Sequence, residues 1–240
     1  MLGGTLAGML AFGGGAVIPP LLGLLLGVPQ HVAQAISLGA LLPPVGLPAL
    51  VAYRKAGVRP DLRVALWLIG GFVAAAPAGA WLANAISAPA LRWSFAAFLV
   101  VLGVQALRRK AATDDDAPSG RLSSVAALAI GAAAGAFSGL LGIGGGIIAL
   151  VLLRASKRLP RLQAQATGLL MMLPPVGLPA LVVYARERGG LPWPAVAAVA
   201  VGFTIGAAIG GRLAVRVSGP AATRVYAIAL FVLAAVTAVH

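Results

Sequence analysis

Leu42-Pro-Pro-Val-Gly-Leu-Pro-Ala-Leu-Val-Ala-Tyr53 and Leu173-Pro-Pro-Val-Gly-Leu-Pro-Ala-Leu-Val-Val-Tyr184 are one twelve-residue phrase written twice, 131 positions apart, with a single exchange. The same offset carries Gly13-Gly14-Gly15 onto Gly144-Gly145-Gly146, Gly8 onto Gly139, Gln34 onto Gln165 and Phe72 onto Phe203. Ser87 and Pro89 likewise fall on Ser218 and Pro220. The chain is therefore a duplication: residues 1–107 form a first repeat, 108–121 a polar linker with Asp114, Asp115 and Asp116, and 122–240 a second repeat. Duplicated hydrophobic units are a common way to build a transporter.

Each repeat is written for lipid. Sixty per cent of the 240 residues are hydrophobic and 10% are charged, too little polar surface for a soluble domain. Four apolar stretches recur per repeat: Leu2–Leu26, Val32–Tyr53, Val64–Ile86 and Ala90–Leu107, then Leu122–Leu153, Ala164–Tyr184, Trp193–Leu213 and Ala221–Val239. Most approach or exceed the ~20 residues that span a hydrocarbon core. Backbone in lipid must bond to itself, which predicts helices, and the stretches lack the alternation of a β-barrel. No charged leader precedes a cleavage site, so Met1–Leu26 is expected to be part of the fold.

The net charge of +13 does not form a nucleic-acid face, because Lys and Arg punctuate the apolar stretches as membrane anchors do. Their distribution tests topology. If all eight stretches cross, the eighteen cations divide ten against eight between the two sides. If the first stretch of each repeat enters and turns back, they divide fifteen against three. The positive-inside rule selects the second arrangement. An odd number of crossings per repeat also inverts one repeat relative to the other. The expected fold is an all-α integral membrane protein of two inverted repeats. Each is a re-entrant or broken first hairpin followed by three transmembrane helices, with the linker on the cytoplasmic side of the inner membrane. Two short crossings in the first stretch keep the same parity; eight plain spans would ignore the charge rule.

Three constellations carry chemistry. The triplets Gly13, Gly14, Gly15 and Gly144, Gly145, Gly146 permit close backbone approach, and successive N–H groups there can cradle an anion. A half-helix starting after each triplet would aim its positive end at the same point; Pro19 and Pro20 suit such a start. The bland alternative is helix packing on small residues. Pro43, Pro44 and Pro48, with Pro174, Pro175 and Pro179, free carbonyls and must kink or unwind the helix, as a hinge or a static bend. Gln34 and Gln165, with Ser37 and Thr167 close by, are polar groups in apolar helices, either donors to an anion or interhelical glue.

What is missing also narrows the function. There is no cysteine, and His31 and His240 make no metal centre. No cofactor is expected. The five acidic residues, Asp61, Asp114, Asp115, Asp116 and Glu187, all fall in expected loops, so no embedded carboxylate serves a cation or a proton relay. No nucleophile–base pair suggests an enzyme.

Gly139-Leu-Leu-Gly-Ile-Gly-Gly-Gly-Ile-Ile148 resembles the signature of the TauE/SafE sulfite exporter family, and Gly8–Ile18 resembles a degenerate copy of it. Ala33–Ser37, Ala164–Gly168 and the Gly57–Asp61 loop are also similar to that family. The resemblance implies a multi-pass transporter of the cytoplasmic membrane for sulfur oxyanions or organosulfonates, such as sulfite, thiosulfate or sulfoacetate. The chain departs from the pattern at Ala11 and Phe12, and at Leu153-Arg154, where a proline–leucine pair is common. The combined expectation is alternating access at a midplane site between the repeats, with a small anion and the bilayer as partners and homo-oligomerisation left open. An anion channel and a non-transporting scaffold or assembly subunit are the rivals.

Overall fold

The computed structural model describes residues 14–44, 46–108, 121–187, 189–216 and 220–239. Gly13, residues 109–120 of the linker, and the side chains of 207–216 and 220–226 lie outside that description. Every regular element among the described residues is a helix. After a 3-10 turn at Gly14–Ala16 come α1 (Ile18–Leu26), α2 (Gln30–Ala40), α3 (Leu47–Lys55), α4 (Leu62–Ala85) and α5 (Ala88–Arg108). The second half gives α6 (Ser124–Leu141), α7 (Gly146–Ala155), α8 (Arg161–Met171), α9 (Leu178–Glu187), α10 (Trp193–Arg216) and α11 (Pro220–Val239).

Among the described residues, Leu62–Ala85, Ala88–Leu107 and Ser124–Leu141 are helices long and apolar enough to cross a membrane. Their outer faces carry exposed Leu66, Val73, Leu82, Val101 and Val125, with Trp81, Trp93 and Trp193 also exposed. In water such a surface would aggregate; facing lipid it has its natural solvent, and tryptophan is at home at the bilayer interface.

Sequence breaks become structural breaks. The prolines unwind both long second stretches rather than merely bending them: α2 stops at Ala40 and α3 starts at Leu47, while α8 stops at Met171 and α9 starts at Leu178. Proline removes an N–H donor and clashes with the turn before it. The second glycine run ends α6, with Gly142 as a left-handed cap whose N–H returns to the carbonyl of Ser138 at 2.7 Å. Gly144 and Gly145 follow at φ 75° and 69°, a region costly for residues with a Cβ. The chain thereby folds back, so that Gly145 lies against the carbonyl of Ala134, two turns earlier in α6.

The spine of the molecule is α4 against α6. A Cβ at Gly131, Gly135 or Gly139 would overlap the carbonyl of Leu68, Phe72 or Ala76 respectively. The numbers rise together along both helices, so the two run parallel. Small residues at every contact let the backbones touch, which in lipid, where apolar burial offers little, is the main source of packing energy. Asp61 and Ser123 cap the two helices through bonds from the N–H of Val64 and Ala126, and Arg63 donates to Ser124 beside them.

Two ends of the molecule are thus defined. At one, the 54–63 loop meets the start of α6 and the first turns of α8: Gln163 Nε2 donates to the carbonyl of Arg59, and the N–H of Asp61 to Thr167 Oγ1. At the other, the α1–α2 turn meets the α4–α5 turn, where His31 Nε2 lies 2.9 Å from the carbonyl oxygen of Ala83.

Candidate functional site

Two pairs of sequence mates are cross-bonded between the repeats. Tyr184 Oη donates to Gln34 Oε1 at 2.7 Å, and Tyr53 Oη donates to Gln165 Oε1 at 2.9 Å. Tyr53 and Tyr184 are related by the 131-residue offset, as are the two glutamines. Each repeat therefore supplies the tyrosine for the other's glutamine, the reciprocity a two-fold relation produces. Contacts within each repeat match as well: a Cβ at Gly15 would reach Leu41 at 3.0 Å, and one at Gly146 would collide with the sulfur of Met172. Leu41 and Met172 are again offset mates.

The two glycine breaks meet at the centre. Gly15 packs on the carbonyl of Ile143, and Gly144 faces Leu41 and Met172. A small apolar crevice lies beside them, between Leu38, Leu41, Met172 and Val176. Gly15 thus meets the backbone of Ile143 with no room for a Cβ between them, while the side chains of Leu41 and Met172 lie against Gly144 and Gly146. Glycine is required here for approach as much as for torsion.

Polar chemistry lies next to this contact. Gly142 abuts the Cα, Cβ and Cγ of Gln34. Gln34 facing Gly142 and Leu41 facing Gly144 place the intervening Ser37 on the same face of α2, along the break. Gln34, Ser37 and Ser138 are fully buried, and Gln34 Nε2, Ser37 Oγ and Ser138 Oγ have no hydrogen-bond partner. Each unpaired buried group of this kind costs about 1–3 kcal/mol. Gln34 is held rigidly all the same, because Tyr184 Oη, shared between Gln34 Oε1 and the carbonyl of Gly139 at 2.9 Å, fixes the amide with its N–H groups unspent. The carbonyl of Gly139 needs that donor: its helical partner would be the N–H of Ile143, which lies beyond the break. The first N–H groups of α7, from Gly146 onward, are without acceptors inside their own helix.

The remaining residues singled out by sequence divide. Gly15, Gln34, Ser37 and Gly144–Gly146 come together; Gly14 stands in the 3-10 turn beside Gly15. Gln165 and Thr167 spend their oxygens on Tyr53 and on the N–H of Asp61, fastening α8 to the first half. Pro43, Pro44, Pro174 and Pro175 occupy the two unwound links, while Pro48 and Pro179 fall in the first turns of α3 and α9. Sequence reading missed Ser138 and both tyrosines. Ser138 has no mate, since Ala7 stands at its offset, so duplication gave no signal. The tyrosines did give one, being two of only three in the chain and closing the duplicated phrase.

Residues 1–237 match the family model described as "Sulfite exporter TauE/SafE". No curated protein and no solved structure matches the chain.

Proposed function

Because the chain belongs to the sulfite exporter TauE/SafE family, we propose that it carries a small sulfur oxyanion or organosulfonate across the cytoplasmic membrane by alternating access between two inverted repeats. At the family level the activity is membrane transport of sulfur-related anions, not enzymatic catalysis. The finer reading rests on one observation above the others: three fully buried polar atoms, Gln34 Nε2, Ser37 Oγ and Ser138 Oγ, stand unpaired along a broken helix. All are donors to an oxyanion, and the positive end of α7 adds a partial charge.

Neutral donors suit a carrier. A full positive charge at a dry site would hold an anion too firmly, whereas transport needs binding weak enough for release. The central contact of Gly15 with the Ile143 carbonyl, sealed by Leu41 and Met172, closes the path and favours a carrier over a standing pore. Release then requires the two hairpin ends to part, and the unwound links at Pro43-Pro44 and Pro174-Pro175 are where backbone can turn without breaking helical bonds.

The arrangement of loops supports inversion. The basic 54–63 loop and the first turns of α8, which follow the basic 154–161 loop, share one end of the molecule. Eight plain spans would put those loops on opposite sides. Re-entrant first stretches put both in the cytoplasm, as the positive-inside rule asks.

The test is flux of labelled sulfite, thiosulfate and sulfoacetate into proteoliposomes, comparing wild type with Gln34→Leu and Ser138→Ala. Wild-type flux of at least one anion, reduced about tenfold or more in Gln34→Leu, is expected, a factor equal to the ~1.4 kcal/mol of one good donor. No flux of any of the three ends the transport reading; full flux in both variants moves the site elsewhere.

A further inference from the structure

At the end opposite the basic loops, a cleft of about 370 Å³ is lined in part by Gly27, Gln30, Ala88, Arg92, Val236 and Thr237. Its distinguishing feature is Gln30. That side chain is only 7% exposed, yet its Nε2 has no hydrogen-bond partner. A buried amide left unpaired costs stability unless a ligand accepts from it, and neither the central site nor the packing of α2 makes use of this one.

Other donors converge on the same space. Gln30 is the first residue of α2, so its own N–H has no acceptor in that helix. The N–H of Ala33 is already spent on the carbonyl of Pro29. Ala88 opens α5, a second helix N-terminus at the cleft, and Arg92 stands one turn further on. The ends of α1 and α11 bring carbonyls of opposite sign, which the starts of α2 and α5 offset, since each helix end is worth about half a charge; Arg92 adds its guanidinium. Among the described residues, none of the eleven that line the cleft is acidic.

We propose that this cleft is a second oxyanion site, separate from the central one, which takes a sulfonate or phosphate group between Gln30, the start of α2 and Arg92. The group can come from a free organosulfonate or from the head of an anionic lipid; the chemistry of recognition is shared. The site does not depend on the transport reading.

The test uses the full chain in nanodiscs of phosphatidylcholine, with labelled sulfoacetate as probe, and native mass spectrometry in nanodiscs containing phosphatidylglycerol. Arg92→Gln and Gln30→Leu should each weaken binding of sulfoacetate, or retention of phosphatidylglycerol, about tenfold or more, while Arg92→Lys keeps most of it. Loss confined to sulfoacetate identifies a free anion, and loss confined to phosphatidylglycerol identifies a lipid head. Unchanged melting of the variants shows that the fold is intact. Both ligands bound within twofold of wild type in both variants, or neither ligand bound by wild type, overturns the proposal. Flux is measured separately: a chain that moves no anion but binds one through Gln30 and Arg92 sinks the transport reading and leaves this site standing.

Discussion

Tyr184 shows how one hydroxyl can join a helix break to a candidate binding residue. Its proton is shared between Gln34 Oε1 and the Gly139 carbonyl, and the residue is fully buried. Tyr184→Phe leaves both acceptors unsatisfied in a dry interior, and a loss of about 1–3 kcal/mol is expected. Tyr53→Phe removes the symmetry-related bond at a half-buried position, where water can substitute, so the loss should be smaller. Unfolding in detergent, followed by circular dichroism against temperature or denaturant, orders the two. Equal losses would mean that burial does not separate these bonds. At the site, the offset between repeats led directly to Gln34 and the glycines. It could not lead to Ser138, because a lone serine in a run of alanine and glycine looks like packing until the fold shows its hydroxyl unpartnered. Nor could it reveal that Thr167, a plausible donor by composition, accepts the N–H of Asp61 from 106 positions away.

At the level of elements, α4 and α6 form the least forgiving surface. Gly135 has no room for a Cβ, which would overlap the backbone of Phe72. The helices would have to separate along their length, so Gly135→Val is expected to destabilise by at least the ~1–3 kcal/mol typical of overpacking. Gly168, on α8, meets nothing within 4 Å, and Gly168→Ala should be tolerated; the yield of monodisperse protein after extraction compares them. The proline links make a different prediction. Pro174→Ala with Pro175→Ala restores two N–H donors and favours continuous helix from α8 into α9. If the link is a hinge, maximal flux should fall severalfold with half-saturation little changed, as measured in proteoliposomes. A static bend predicts no change in either. The glycine and proline runs made these breaks legible in the sequence because they act locally, through torsion and missing donors. The parallel contact of α4 with α6 was not legible, since small residues recur in nearly every stretch and nothing local says which pairs touch.

For the whole molecule, duplication and charge together bear on topology. Inversion follows only if each repeat crosses an odd number of times, and the fifteen-to-three division of cations is what favours that count. The contacts of Arg59 with Gln163 and of Asp61 with Thr167 point the same way, because they put two basic loops at one end. The chain has no cysteine, so single introduced thiols report sidedness without background. Arg59→Cys and Lys157→Cys, both at exposed positions, should react with a membrane-impermeant maleimide only in inverted vesicles. Ser87→Cys, exposed at the far end, should react only in intact spheroplasts. Eight plain spans keep Arg59 and Ser87 on opposite sides but move Lys157 to the side of Ser87. The labelling of Lys157→Cys alone therefore separates the two topologies. Modification from the outside would remove the inverted relation of the repeats, and with it the argument that one centre is approached alternately from both faces.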